Sequence, residues 1–88
     1  MDANKEPQIV LVRDSVSGKG LELAESLLKD NIKVMINGEK QIDIVVTMFE
    51  LAHRYDPSLI YGVPGNIMSV EEYEKFYAHP QITSIVHA

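Results

Sequence analysis

The stretch I-K-V-M-I-N-G-E-K-Q-I-D-I-V-V, residues Ile32 to Val46, decides how this chain is read. Two β-type runs flank Asn37-Gly38, and Asn and Gly tolerate the positive φ angles that tight hairpin loops require. A two-residue loop would set Val34 against Gln41 and mix the two faces. A three-residue loop, Asn37-Gly38-Glu39, sets Val34 against Ile42 and Ile32 against Ile44, while Lys33 meets Asp43. One face is then apolar and the other carries an opposite-charge pair, as cross-strand pairing favours. The spacing therefore predicts an antiparallel hairpin with strands at 32–36 and 40–44.

Working outward, Gln8 to Arg13 (Q-I-V-L-V-R) reads as a strand, with Ile9 and Leu11 on one face and Val10 and Val12 on the other. Asp14 to Gly20 (D-S-V-S-G-K-G) is a loop by composition. Leu21, Ala24, Leu27 and Leu28 recur at helical spacing and predict a helix over 20–30. The segment 42–55 carries both signals, β-branched residues up to Thr47 and helix formers after it. Splitting it near residues 44–46 gives a strand and then a short helix to Arg54, which Asp56-Pro57 stops. Leu59 to Tyr61 is a short strand, and Val63 to Asn66 a turn. Ser69-Val70-Glu71-Glu72 is a capping box that opens a third helix, with Val70, Tyr73, Phe76 and Tyr77 as its apolar stripe. The tail from Ile82 to Ala88 is apolar.

This order, β-α-β-β-α-β-α, predicts an α+β open-faced sandwich: a four-stranded, mostly antiparallel sheet with helices on one face. One domain over 8–88 follows a flexible tail at 1–7, since 88 residues leave no room for a second core. The alternative takes 39–55 as one helix. That gives β-α-β-α-β-α-β and a small parallel, Rossmann-like sheet.

The pattern over residues 8–79 resembles the histidine-containing phosphocarrier (HPr) family of the sugar phosphotransferase system. The resemblance rests on the element order, the turn N-G-E-K (Asn37 to Lys40), the apolar run V-V-T-M-F-E-L-A, and G-N-I-M-S-V-E-E-Y leading into the last helix. That family places a phosphoacceptor histidine, with Arg and Pro close behind, at the start of its first helix. Here the region from Asp14 to Leu21 has none of the three. The resemblance thus implies a regulatory or interaction protein that does not carry phosphate on histidine. It also implies a docking surface on the second helix, with Thr47, Met48, Phe49 and Met68 as its candidate residues. The expected partner is another protein, such as a phosphotransferase component or a regulator.

Composition narrows the remaining classes. A hydrophobic fraction of 45% and a charged fraction of 24% suit a globular core. A net charge of −5 argues against nucleic acid as partner. The absence of cysteine excludes disulfides and thiolate metal sites and fits a cytoplasmic location. The polar start after Met1 predicts no secretory signal, and no window approaches the roughly 18 apolar residues of a membrane span.

Ser15, Ser17, Gly18 and Lys19 form the candidate anion site, because small residues before a helix expose backbone N–H groups to phosphate. Gly follows Lys19 where a nucleotide P-loop needs Ser or Thr, so that motif is not met. The alternative function is accordingly a Rossmann-like domain holding a phosphorylated ligand in the 14–20 loop. His53, His79 and His87 are too scattered for a metal site, and Glu71, Glu72 and Glu74 suit a helix start. No catalytic arrangement, metal or cofactor is assigned. The apolar tail is expected to pair with a neighbouring chain's sheet edge as a homodimer contact.

Overall fold

Residues 41–52 are one helix, and the hairpin does not form. In the computed structural model, which describes residues 8–88, the strands are β1 (Ile9–Arg13), β2 (Lys33–Gly38), β3 (Ile60–Pro64) and β4 (Ser84–His87). The helices are α1 (Gly18–Lys29), α2 (Gln41–Ala52) and α3 (Val70–Phe76), with a short 3-10 turn at Pro57–Leu59. The expected tail at 1–7 lies outside the described residues. No helix among the described residues is long and apolar enough to cross a membrane.

The sheet is parallel throughout, in the order β3-β2-β1-β4. Val34 pairs with Val10 on one side and Ile60 on the other, where the hairpin would have placed Ile42. This overturns the antiparallel open-faced sandwich and selects the single-helix alternative. The physical reason lies in α2. Ile44, Thr47 and Leu51 are buried at helical spacing, and burial against the sheet overrides the β preference of Ile42 to Thr47.

Asn37 and Gly38 serve a different purpose from a hairpin turn. They end β2, and neither has a positive φ. The buried Asn37 amide donates to the carbonyls of Val63 (3.0 Å) and Gly65 (2.9 Å), which ties the end of β2 to the end of β3.

Both faces of the sheet are covered, as parallel sheets require. Val10, Val12, Val34, Ile36 and Ile60 pack with Ala24 and Leu28 of α1 and Ile44 and Leu51 of α2. The alternate residues Ile9, Leu11, Met35 and Val63 pack with Ile67, with Tyr73 of α3 and with Ile82. On the α2 side, Gly62 leaves room for Met48 and Ile44 to lie against the backbone of β3.

Local signals mark the helix ends. α1 closes with Asn31 at φ 62°, where Ile32 N–H donates to Leu27 O and Asn31 N–H to Leu28 O, a Schellman arrangement. The capping box at α3 forms as expected: Ser69 Oγ accepts from Glu72 N–H at 3.0 Å, and the Glu72 carboxylate accepts from Met68 N–H at 2.7 Å. The apolar tail becomes β4, in register with β1 from Val10–Ser84 to Arg13–His87. Its outer edge, where the expected homodimer contact would form, has no neighbouring strand among the described residues.

Asp56 caps the short turn. The Ser58 N–H and then the Ser58 hydroxyl, each 2.9 Å away, hold its carboxyl below the usual range. Because the folded value lies below the unfolded one, this stabilisation is full above about pH 4 and is lost as pH falls through the folded value. Asp56→Asn is expected to flatten the acid limb of the melting-temperature profile below about pH 4. Circular-dichroism melts would check this, and an acid limb unchanged by the substitution would contradict it.

Candidate functional site

The chain leaves β1, turns, and enters α1 beside the sheet's switch point. The crossovers through α1 and α2 carry the sheet to one side of β1, and α3 returns the chain to the other side as β4. In open parallel sheets ligands bind outside the carboxyl ends of the strands at such a point. The loop at residues 14–20 occupies that place.

Its backbone is shaped residue by residue. Asp14 has φ 51° and Gly18 φ 61°, so the loop needs the left-handed region twice and has glycine at one of the two positions. Gly20 is a close-packing site, because a Cβ there would lie 2.1 Å from the carbonyl oxygen of Asp14. Ser15 is buried and turned inward. Its hydroxyl donates to Val12 O at 2.7 Å and accepts from Asn37 N–H at 2.9 Å, while its own N–H donates to Asn37 O. Ser17 is the N-cap of α1 with extended backbone, and its side chain makes no capping bond. The first N–H groups of α1, at Gly18, Lys19 and Gly20, therefore have no side-chain cap; Gly18 and Lys19 are exposed and Gly20 is buried.

A cleft of about 270 Å³ continues from this loop across the ends of β2 and β3, lined by Arg13, Asp14, Asn37, Gly38, Glu39, Gly65 and Asn66. Arg13 is steadied by Asn66 at 2.9 Å. Asp14 lies 3.5 Å from His87 at the end of β4. A larger cleft of about 380 Å³, lined by Ile9, Lys33, Tyr61 and residues 78–81, lies at the amino ends of the strands. We assign the site to the smaller one, since the carboxyl ends carry the uncapped helix start.

The candidate anion residues thus stand together in the loop, with Ser17, Gly18 and Lys19 at the helix start and Ser15 beneath them. Asp14, Gly20 and Glu39 lie outside the residues that the sequence marks as candidates. The available signals were a residue tolerant of positive φ four positions before Gly18, and an acidic residue just past the second strand. The candidate interaction residues do not form one patch. Thr47 is buried, with its hydroxyl 3.5 Å from Val16 O, and Met48 is half-buried against Gly62. Phe49 is exposed on α2, and Met68 is exposed ahead of α3, the helix that packs on the opposite sheet face.

Comparison with known proteins agrees with this geometry. In structure, 93% of the chain superposes on 33% of an actinorhodin polyketide ketoreductase mutant (F189W) solved with NADPH, with a TM-score of 0.69 and 24% sequence identity. The fold is Rossmann-like. In sequence, the chain is 28% identical over 88 residues to "Uncharacterized oxidoreductase YvaG" of Bacillus subtilis (strain 168), which spans 99% of this chain and 33% of that protein. The chain thus covers about a third of the length of both of these proteins. No protein-family model matches it.

These findings overturn the HPr resemblance and its link to the phosphotransferase system. The resemblance rested on an element order that requires residues 40–44 to be a strand, and on an N-G-E-K segment that ends β2 at Gly38 and leads through Lys40 into α2.

Proposed function

We propose that this chain is a dinucleotide-binding unit, which holds the diphosphate of a nicotinamide dinucleotide on the 14–20 loop. The observation that carries the reading is the contact at Gly20. It lets α1 start against the carbonyl of Asp14, with first-turn N–H groups that no side chain caps at the switch point. The likeness to an NADPH-bound ketoreductase structure and to a protein named as an oxidoreductase supports the same choice of ligand.

The residues fit such a ligand. Gly18, Lys19 and Gly20 would bind the diphosphate through backbone N–H groups, and Lys19 would add a positive charge. The cleft along Gly38, Glu39, Gly65 and Asn66 would take the adenosine half. The bound dinucleotide would supply or accept hydride, whereas the residues of this chain bind and orient it. A cytoplasmic location is part of this reading, supported by a sequence without cysteine.

Glu39 sets the expected preference. It follows Gly38 at the end of β2, about 20 residues beyond the loop glycines, where a carboxylate accepts from a ribose 2′-hydroxyl and repels a 2′-phosphate. NADH is therefore expected to bind roughly tenfold more tightly than NADPH, and Glu39→Arg to reverse the order, with Arg13 nearby adding to the effect. Calorimetric titration of both dinucleotides into the 88-residue chain checks this. A lack of binding by either dinucleotide at millimolar concentration would refute the function itself. Binding without the switch at Glu39→Arg would refute only the role of Glu39.

A further inference from the structure

α2 is apolar on two sides. Its inner stripe is Ile44, Thr47 and Leu51, with Met48 beside it. Its outer stripe is Ile42, Val45, Val46 and Phe49, which are 63%, 48%, 47% and 66% exposed. These four stand at i, i+3, i+4 and i+7, the spacing of a helix face made to be covered. Together they present an apolar surface on the order of 400 Å², a size at which a patch on a small protein is often functional. His53 extends the stripe by one turn, with its ring edge-on to Phe49 at 4.7 Å.

One flank of this stripe is acidic. Asp43 and Glu50, with Val46 and Thr47, face Val16 and Ser17 across a groove of about 370 Å³ between α2 and the loop. Arg54, the first charged residue past the end of α2, is drawn away to Glu25 at 2.7 Å. Among the described residues no ion pair engages Asp43 or Glu50.

That charge pattern discriminates between occupants. A second copy of this chain, packed α2 to α2 in parallel about a two-fold axis, would set each acidic flank against the flank of Gln41 and Ala52, which carries no positive charge. Packed antiparallel, it would keep the two acidic flanks on the same side of the contact. In the antiparallel pair Asp43 and Glu50 would meet their own equivalents, and like charges across an interface are unfavourable; in neither pair would a cation match them. A helix of opposite flank charge fits both features. We propose that the outer face of α2 docks a basic amphipathic helix of another protein. Its apolar residues at i, i+3, i+4 and i+7 lie on Ile42, Val45, Val46 and Phe49, and its Lys or Arg side chains reach Asp43 and Glu50. This inference does not depend on the dinucleotide reading.

The test uses the whole chain and two fluorescent synthetic helical peptides, read by anisotropy. Both carry leucine at i, i+3, i+4 and i+7; one has lysines along a single flank and the other has glutamates there. The lysine peptide is expected to bind at least about tenfold more tightly than the glutamate peptide. Phe49→Ser, at an exposed position, is expected to weaken the lysine peptide by roughly tenfold, with circular dichroism confirming an intact fold. Asp43→Lys combined with Glu50→Lys is expected to reverse the peptide preference, and Glu50→Lys alone to narrow it. Equal affinity for the two peptides, indifference to Phe49→Ser, or no binding at millimolar peptide would each overturn the proposal. Sedimentation showing a dimer that Phe49→Ser dissociates would assign the face to a second copy instead, and would overturn it as well.

Discussion

Ile44→Ala is expected to destabilise the protein by about 3 kcal/mol, while Ile42→Ala stays within about 0.5 kcal/mol. The two isoleucines are two residues apart, so an alternating strand would put them on one face and make the substitutions similar in cost. On α2 they are separated by about 200°, slightly more than a half-turn. Ile44 is buried between β2 and β3, next to Gly62, whereas Ile42 projects outward. Removing the Ile44 side chain beyond Cβ leaves a cavity that rigid neighbours fill only in part. For a domain of this size about 3 kcal/mol corresponds to a fall in melting temperature of about 12–24 °C. Paired thermal melts read the difference, and equal losses at the two positions would return the segment to a strand.

Gly20→Ala is expected to lower stability by about 2 kcal/mol and to weaken dinucleotide binding by at least about tenfold. The added Cβ would meet the Asp14 carbonyl oxygen at 2.1 Å, its carbonyl carbon at 2.7 Å and the Arg13 oxygen at 3.0 Å. All three are backbone atoms, so no flexible side chain can swing aside. The start of α1 must retreat from the end of β1, and the N–H groups proposed to hold the diphosphate retreat with it. Gly18→Ala is a useful contrast. Space there is open, and the cost is only the left-handed φ, about 1 kcal/mol. Melts and titrations of both variants separate crowding from backbone strain. A Gly20→Ala protein with unchanged melting temperature and affinity would show that the loop is not closely packed.

Much of this fold is legible in the sequence, and the part that is not has a physical cause. The first strand, a loop after Arg13, the helix that follows and the capping box at Ser69 all follow from local rules, although the helix starts at Gly18, two residues before the expected Gly20. Local rules mislead where two signals point the same way for tertiary reasons. Asn37-Gly38 reads as a turn, but its amide is needed to join β2 to β3. Ile42 to Thr47 reads as a strand because the helix is apolar on its outer side as well as its inner one. The correcting signal was present in β1. Ile9, Val10, Leu11 and Val12 are apolar on both faces, and all four are buried. An open-faced sandwich has no use for a strand buried on both sides, whereas a parallel sheet between helices requires one.

The candidate site was legible at its glycines and at Lys19, and obscure at Asp14 and Glu39. Asp14 takes a positive φ that composition alone does not reveal. Glu39 matters only once β2 is known to end beside the β1–α1 loop, a neighbourhood that the parallel pairing of β1 with β2 creates.

The most direct test of the central claim is an amide NMR titration of the ¹⁵N-labelled chain with NADH. The account expects the Gly18, Lys19 and Gly20 amides to shift most, accompanied by Gly38, Glu39 and Gly65 along the cleft. Shifts confined to other parts of the sheet, or no shift at residues 14–20 at saturating dinucleotide, would contradict it.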